Sequence, residues 1–143
     1  MKIPTANELG MDFTRRDGFI KLLGITQVST DPGSATLRMP VRADHINFNG
    51  TCHGGAIFSL ADSAFGLASN SHGILAAGID AHVTYQAGVF EGDVLTATAV
   101  EISRSRKIAV YRVDVVGTTG EIVAGFTGTV YITGKSNHAV SEI

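Results

Sequence analysis

Asp62 stands alone among the apolar residues that run from Ala56 to Ala68, and two adjacent glycines, Gly54 and Gly55, come just before them. A carboxylate held away from water can serve as base, nucleophile or electrostatic stabiliser, and burying it unpaired costs roughly several kcal/mol. No basic residue lies within one helical turn to pair with it, the nearest being His53 and His72. The glycines leave the first N–H groups of the following helix bare, where free donors and the helix dipole attract a negative oxygen. A lone acid and a naked helix N-terminus suit a reaction that develops an oxyanion. The plain alternative is a helix acid hydrogen-bonded to a nearby serine or backbone group.

Gly54 and Asp62 are eight residues apart, about 12 Å along a helix axis at ~1.5 Å per residue. A base or nucleophile must come within about 3 Å of the atom it serves, and an oxyanion donor equally close to an oxygen one bond away. One helix cannot bring both groups to one carbonyl. Two copies, antiparallel across a two-fold axis, can set Gly54 of one against Asp62 of the other. If the two groups cooperate, the spacing predicts a homodimer with shared sites.

The elements that must position these residues follow from periodicity. Residues 1–23 read as an irregular lead-in with one short helix over 17–23, ended by Gly24. Strands are predicted at 24–29 and 34–41 around Asp31-Pro32-Gly33. A polar loop over 44–51 leads into the helix, which closes near 70–73. Strands at 78–86, 93–103, 108–116 and 122–133 follow as a meander, and 134–143 read as a frayed tail. The helix shows no polar face, so a sheet should curl about it. The fold class expected is α+β, a hotdog fold: one curved antiparallel sheet wrapped around a long central helix. A helix on a flat sheet would leave the lack of a polar face unexplained.

Composition narrows the partners. The 143 residues make one domain with a formal net charge of −2, which argues against a nucleic-acid footprint. No run of 18 apolar residues exists to span a membrane. The first residues lack the apolar core of a secretory signal, and the single cysteine, Cys52, forbids an intrachain disulfide, so the cytoplasm is the expected compartment. The five histidines do not cluster at ligand spacings, so no metal and no cofactor are expected. Cys52 itself reads as a small packing residue rather than a nucleophile.

Asn47-Phe48-Asn49-Gly50-Thr51-Cys52-His53-Gly54-Gly55, then Leu60-Ala61-Asp62-Ser63-Ala64-Phe65 and Asn70-Ser71, resemble the hotdog-fold acyl-CoA thioesterases. They are most similar to the phenylacetic acid degradation thioesterases, over about 18–133. The resemblance implies Asp62 as the catalytic acid, either nucleophile or general base on water, with the Gly54 N–H polarising the thioester carbonyl. It implies that Asn47 orients water or substrate and that His53 supports the arrangement, with Gly55 beside them at the substrate. Asn47 could equally be a turn residue and His53 a simple helix cap. Phe65 is a core residue or the wall of an aromatic acyl pocket. Arg104, Arg106 and Lys107 form a solvated turn or a clamp for the phosphates of coenzyme A.

The resemblance further implies dimers that pair into tetramers. Relatives often carry Arg-Pro shortly after the third-strand Tyr, where this chain has Tyr85-Gln86-Ala87-Gly88. The expected activity is hydrolysis of a small aromatic acyl-CoA, of phenylacetyl type, to free acid and coenzyme A. Benzoyl or short aliphatic acyl-CoA hydrolysis is the alternative. A hydratase would pair His with an acid, and a non-catalytic acyl-CoA-binding module would bind without releasing thiol.

Overall fold

A computed structural model describes residues 2–139. Two short helices, α1 (Ala6–Arg16) and α2 (Gly18–Leu23), precede the strands β1 (Thr26–Asp31) and β2 (Ser34–Pro40). The long helix α3 (Gly54–Ser69) comes next, then β3 (Ile74–Tyr85), β4 (Val94–Arg104), β5 (Ile108–Val116) and β6 (Ile122–Ser136). All six strands join one antiparallel sheet in the order β1-β2-β4-β5-β6-β3. The sheet packs against α3, as the sequence predicts.

Period-two alternation selects the inner face of each strand. Ala109, Tyr111, Val113 and Val115 of β5 point inward and are buried, as are Leu95, Ala97 and Ala99 of β4 and Leu37 and Met39 of β2. Alanines at three of these positions let the helix lie close. Phe65 needs still more room: a side chain at Gly128 would come within 2.8 Å of its ring, and one at Gly78 within 3.1 Å. Phe65 therefore packs over these two glycines, edge-on to Tyr111.

Four expectations are corrected. The four late strands are not a plain meander, because β3 pairs with β6 at the far edge while β2 pairs with β4. The chain leaves α3 on the β6 side, and residues 86–93 carry it across the sheet end to β4, anchored where Cys52 N–H donates to Val89 O (2.7 Å).

The lead-in is ordered. The Thr5 hydroxyl accepts from Glu8 N–H, and the Glu8 carboxylate accepts in return from Thr5 N–H, a reciprocal cap that starts α1. Asp17 caps α2 through Phe19 and Ile20 N–H, and Gly24, at φ 72°, ends it.

The tail is structured as far as it is described. β6 extends to Ser136, and the Asn137 amide donates to the Asn70 carbonyl (2.8 Å). Residues 140–143 lie outside the described residues.

The fourth correction concerns α3. Ala56, Ile57, Leu60, Ala61, Ala64, Phe65, Leu67 and Ala68 are buried, but Gly55, Ser59, Asp62, Ser63 and Gly66 form a stripe that is open or only half covered. The sheet covers one side of the helix only. Ser59 Oγ and Ser63 Oγ each donate to the carbonyl four residues back (2.7 Å), which quiets their polarity. A face of glycine, serine and one acid thus looked apolar by composition.

Candidate active site

Asp62 lies on this open stripe, in the wall of a cavity of about 730 Å³ between α3 and the α1–α2 pair. Phe13, Phe19, Ile20, Phe58, Leu67 and Leu75 supply its apolar lining; Arg16, Asp17, Ser59, Ser63, Asn70 and Asn137 supply polar groups. No hydrogen bond or ion pair holds the Asp62 carboxylate among the described residues. Solvent reaches it through the cavity mouth, while protein packed around it displaces enough water that burial raises its pKa above the ordinary carboxylate value. An unpaired carboxylate biased toward taking a proton is suited to general-base work.

The start of α3 is built around one free donor. His53 is the cap, its Nδ1 accepting from Gly55 N–H at 2.8 Å. Ala56 and Ile57 N–H both turn back to the His53 carbonyl. Gly54 N–H is thereby left without a partner among the described residues. Both glycines sit at close approaches: a side chain at Gly54 would meet the Tyr85 ring at 3.1 Å, and one at Gly55 the His53 imidazole at 2.9 Å. Because His53 Nδ1 accepts, Nε2 carries the proton and is the edge left free to donate outward. A second hollow of about 370 Å³, lined by His53, Gly55, Ser59 and Phe19, adjoins the first through Ser59 and Phe19. His53 and Gly55 thus share the open face of α3 with Asp62, about two to two and a half turns away.

Asn47 sits in the loop before this helix and holds it shut. Its side-chain oxygen accepts from Asn49 N–H (2.9 Å) and Thr51 N–H (3.1 Å), and its amide donates to Thr51 Oγ1. Behind the loop, buried His45 bridges Arg42 N–H and the Leu23 carbonyl (2.9 Å), tying the end of α2 to the start of α3.

Two residues expected at the substrate lie elsewhere. Phe65 faces the sheet, 3% exposed, with its ring against Tyr111 and Phe126, because its position on α3 falls about a quarter turn round from the open stripe, on the flank that meets the sheet. Arg104 is the last residue of β4, and its Nη1 lies 3.5 Å from Glu101 Oε1, enclosed and without a hydrogen-bond acceptor. Glu101 gathers Tyr111 OH (2.6 Å) and His72 Nε2 (3.0 Å) as well. The Arg104 charge is committed inside the molecule; Arg106 and Lys107 remain exposed in the turn before β5. Burial pushes the Cys52 thiol up to about 11, so it is no nucleophile at neutral pH.

Not singled out from the sequence were Phe13, which the Thr5–Glu8 capping signature and the Leu9–Phe13 spacing of an amphipathic α1 could have revealed, and Phe19, which lies on the short helix expected over 17–23.

Residues 49–124, which hold the glycines, Asp62 and the strands β3 to β5, match the thioesterase superfamily. The chain belongs to that family. This thioesterase is 39% identical to the acyl-coenzyme A thioesterase PaaI of Escherichia coli over 112 residues, 78% of this chain and 80% of that protein. The structure of the E. coli PaaI protein superposes with a TM-score of 0.87 at 35% identity, covering 90% of the thioesterase and 93% of that chain. A Streptococcus mutans protein solved with acetyl CoA superposes at 0.76 with 30% identity, over 79% of this chain and 91% of its own. The segment that matches the family begins after α1 and α2. No helix among the described residues is long and apolar enough to cross a membrane.

Proposed function

We propose that this thioesterase hydrolyses a small aromatic acyl-CoA of phenylacetyl type, releasing the acid and coenzyme A. The observation that carries this reading is the unpaired Asp62 carboxylate in a cavity walled by Phe13, Phe19 and Phe58. An aromatic acyl group has ring faces to stack on there and a thioester to present to the acid. Likeness to E. coli PaaI supports the same substrate class.

In the reaction, Asp62 takes a proton from water as the water oxygen attacks the thioester carbon, or attacks that carbon itself and is freed by water afterwards. Either way the carbonyl oxygen gains negative charge, the C–S bond breaks, and sulfur leaves as coenzyme A thiolate. The free Gly54 N–H, at the positive end of α3, is the donor for that oxygen. Asn47 and His53 hold the loop and the helix start that present it.

The donor and the acid act from different chains. β3 is an edge strand of 12 residues with most of its side chains exposed, and such an edge recruits another strand. It runs beside α3 in the opposite direction, with Tyr85 at Gly54 and Gly78 at Phe65. Antiparallel pairing of two β3 strands centred between Ala81 and His82, with Tyr85 of one opposite Gly78 of the other, would bring Gly54 of one chain level with the Phe65 end of the Asp62–Phe65 turn of the other. Arg106 and Lys107, without Arg104, are the cations left to meet the phosphates of coenzyme A.

A thiol-release assay across phenylacetyl-, benzoyl- and short aliphatic acyl-CoA tests the substrate. The expected order of kcat/KM places phenylacetyl-CoA first. A preference for acetyl- or hexanoyl-CoA would move the assignment to aliphatic thioesters, and saturable binding without thiol release would make the chain a binding module.

A further inference from the structure

We infer that Tyr85 is a positioning residue for the catalytic helix start: it clamps the Gly54–Gly55 peptide and so fixes the direction of the Gly54 N–H. This rests on the reading of Gly54 as oxyanion donor.

Two successive glycines are the most mobile pair a chain can place at a helix start, since neither has a Cβ to restrict its backbone. Here that freedom comes with crowding, because a side chain at Gly54 would press on the Tyr85 ring at 3.1 Å and one at Gly55 on the His53 imidazole at 2.9 Å. A donor that must point at a developing charge cannot wander, because preorganisation is what gives such donors their value. The peptide that joins the two glycines is held at both ends. Tyr85 OH donates to the Gly54 carbonyl oxygen at 3.0 Å, and Gly55 N–H donates to His53 Nδ1 at 2.8 Å. One continuous chain of hydrogen bonds runs from the Tyr85 hydroxyl through this peptide to the imidazole.

Each bond in such a chain polarises the next. With the plane of the 54–55 peptide fixed and the His53 ring packed against it, the torsions on either side of Gly54 lose their freedom. The unpaired N–H of Gly54 then keeps one heading. Tyr85 touches neither the reacting atoms nor Asp62; it acts through Gly54 and His53. Its half-exposed ring lies on the edge strand β3, 31 residues away in sequence, so no local pattern points to it.

Tyr85→Phe tests this, because it keeps the ring against Gly54 and deletes only the hydroxyl. Removing an oxyanion donor outright costs about 10²–10³ in kcat, and loosening one should cost less, about 10-fold. The expected result is that loss in kcat with KM within about two-fold. The Gly55 amide proton should move upfield in the 1H–15N spectrum and the rest of the spectrum should stay in place. In a His53→Ala background the same change should add little further loss, since the chain is already cut.

Unchanged kcat in Tyr85→Phe overturns the clamp, whatever the Gly55 resonance does. So does a full, multiplied loss in the double variant, or a kcat loss accompanied by spectral changes spread over the sheet. Asp62→Asn separates the two levels of inference. If it retains turnover, the proposed site is wrong; if it is inactive while Tyr85→Phe matches wild type, only the clamp is wrong.

Discussion

At neutral pH Asp62 should work against the stability of the fold that carries it. Burial raises its pKa above the value of 3.8 for a free Asp, so the folded state favours the neutral acid. The stability this group contributes is present below pH 3.8 and is lost as pH rises through the folded pKa. Asp62→Asn should therefore raise Tm at pH 7 and leave it nearly unchanged at about pH 3, as thermal melts at both values will show. The same variant should lose about 10²–10⁴ in kcat, the usual worth of a positioned acid–base group. A variant both inactive and more stable marks a residue kept for chemistry, and one equally stable at both pH values would mean the carboxylate is not held away from water. Asp62, Gly54 and Gly55 were legible in the sequence because their types conflict with their neighbours. For Phe65 the core reading holds and for Arg104 both readings stayed open in the sequence, because their directions depend on distant partners: Gly128 and Tyr111 for the ring, Glu101 for the guanidinium. Such contacts exist only after the strands have paired.

Elements divide the labour between holding α3 and shaping what faces it. At the far end of the helix, Glu101 of β4 joins Tyr111 of β5 to His72 just beyond α3. Burial tends to push the Glu101 pKa up, but hydrogen bonds from Tyr111 and His72 and the nearby charges of His72 and Arg104 outweigh it, and the net shift is downward. The sign is opposite to that of Asp62. Its stability contribution is present above pH 4.5 and disappears as pH falls through the folded pKa. Glu101→Gln should lower Tm by about several degrees at pH 7, with the gap to wild type closing in acid, while kcat stays within about two-fold. On the open side, α1 and α2 face Asp62 across the cavity, and Phe19 is the aromatic they share with the hollow at His53. Phe19→Ala should reduce kcat/KM for phenylacetyl-CoA by about 10-fold, since a lost aromatic contact is worth ~0.5–1.5 kcal/mol beyond its area, and should spare a short aliphatic substrate. Equal losses on both would assign α1–α2 to support rather than selection. The strands were legible from their alternation, β5 above all. Helix α1 was missed although Thr5 and Glu8 form its cap, because a polar start before a charged stretch looks like any lead-in. The pairing of β3 with β6 was hidden for another reason: periodicity shows that a strand exists and not which strand it joins.

At the scale of the whole molecule the proposed site calls for a second copy of the chain. In one chain Gly54 and Asp62 lie on one helix with about two turns between them, too far to serve one carbonyl, and no rotation of a side chain shortens the distance between a backbone N–H and a carboxylate by that amount. The exposed edge of β3 offers the remedy, since an isologous pairing of edges repeats every contact twice and so creates two sites at once. That geometry predicts complementation. Asp62→Asn removes the acid, and Gly54→Pro removes the N–H while proline remains compatible with the first position of a helix. Each variant alone should be inactive. Mixed and allowed to exchange subunits, they should regain activity, because a mixed dimer has one site with an intact Gly54 and an intact Asp62 and one with neither. With equal amounts and free exchange about half the dimers are mixed, each with one of two sites working, so about a quarter of wild-type activity is expected. Tyr85 abuts Gly54, so matching circular dichroism must first show that the proline is accommodated; if it is not, Gly54→Ala takes its place, keeping the N–H but crowding the Tyr85 ring at 3.1 Å, and it serves once it is shown to be inactive alone. Native mass spectrometry establishes that mixed dimers form. Mixed dimers without activity would confine each site to one chain, and the eight-residue spacing would then have to be bridged by a substrate that Gly54 and Asp62 touch at different groups.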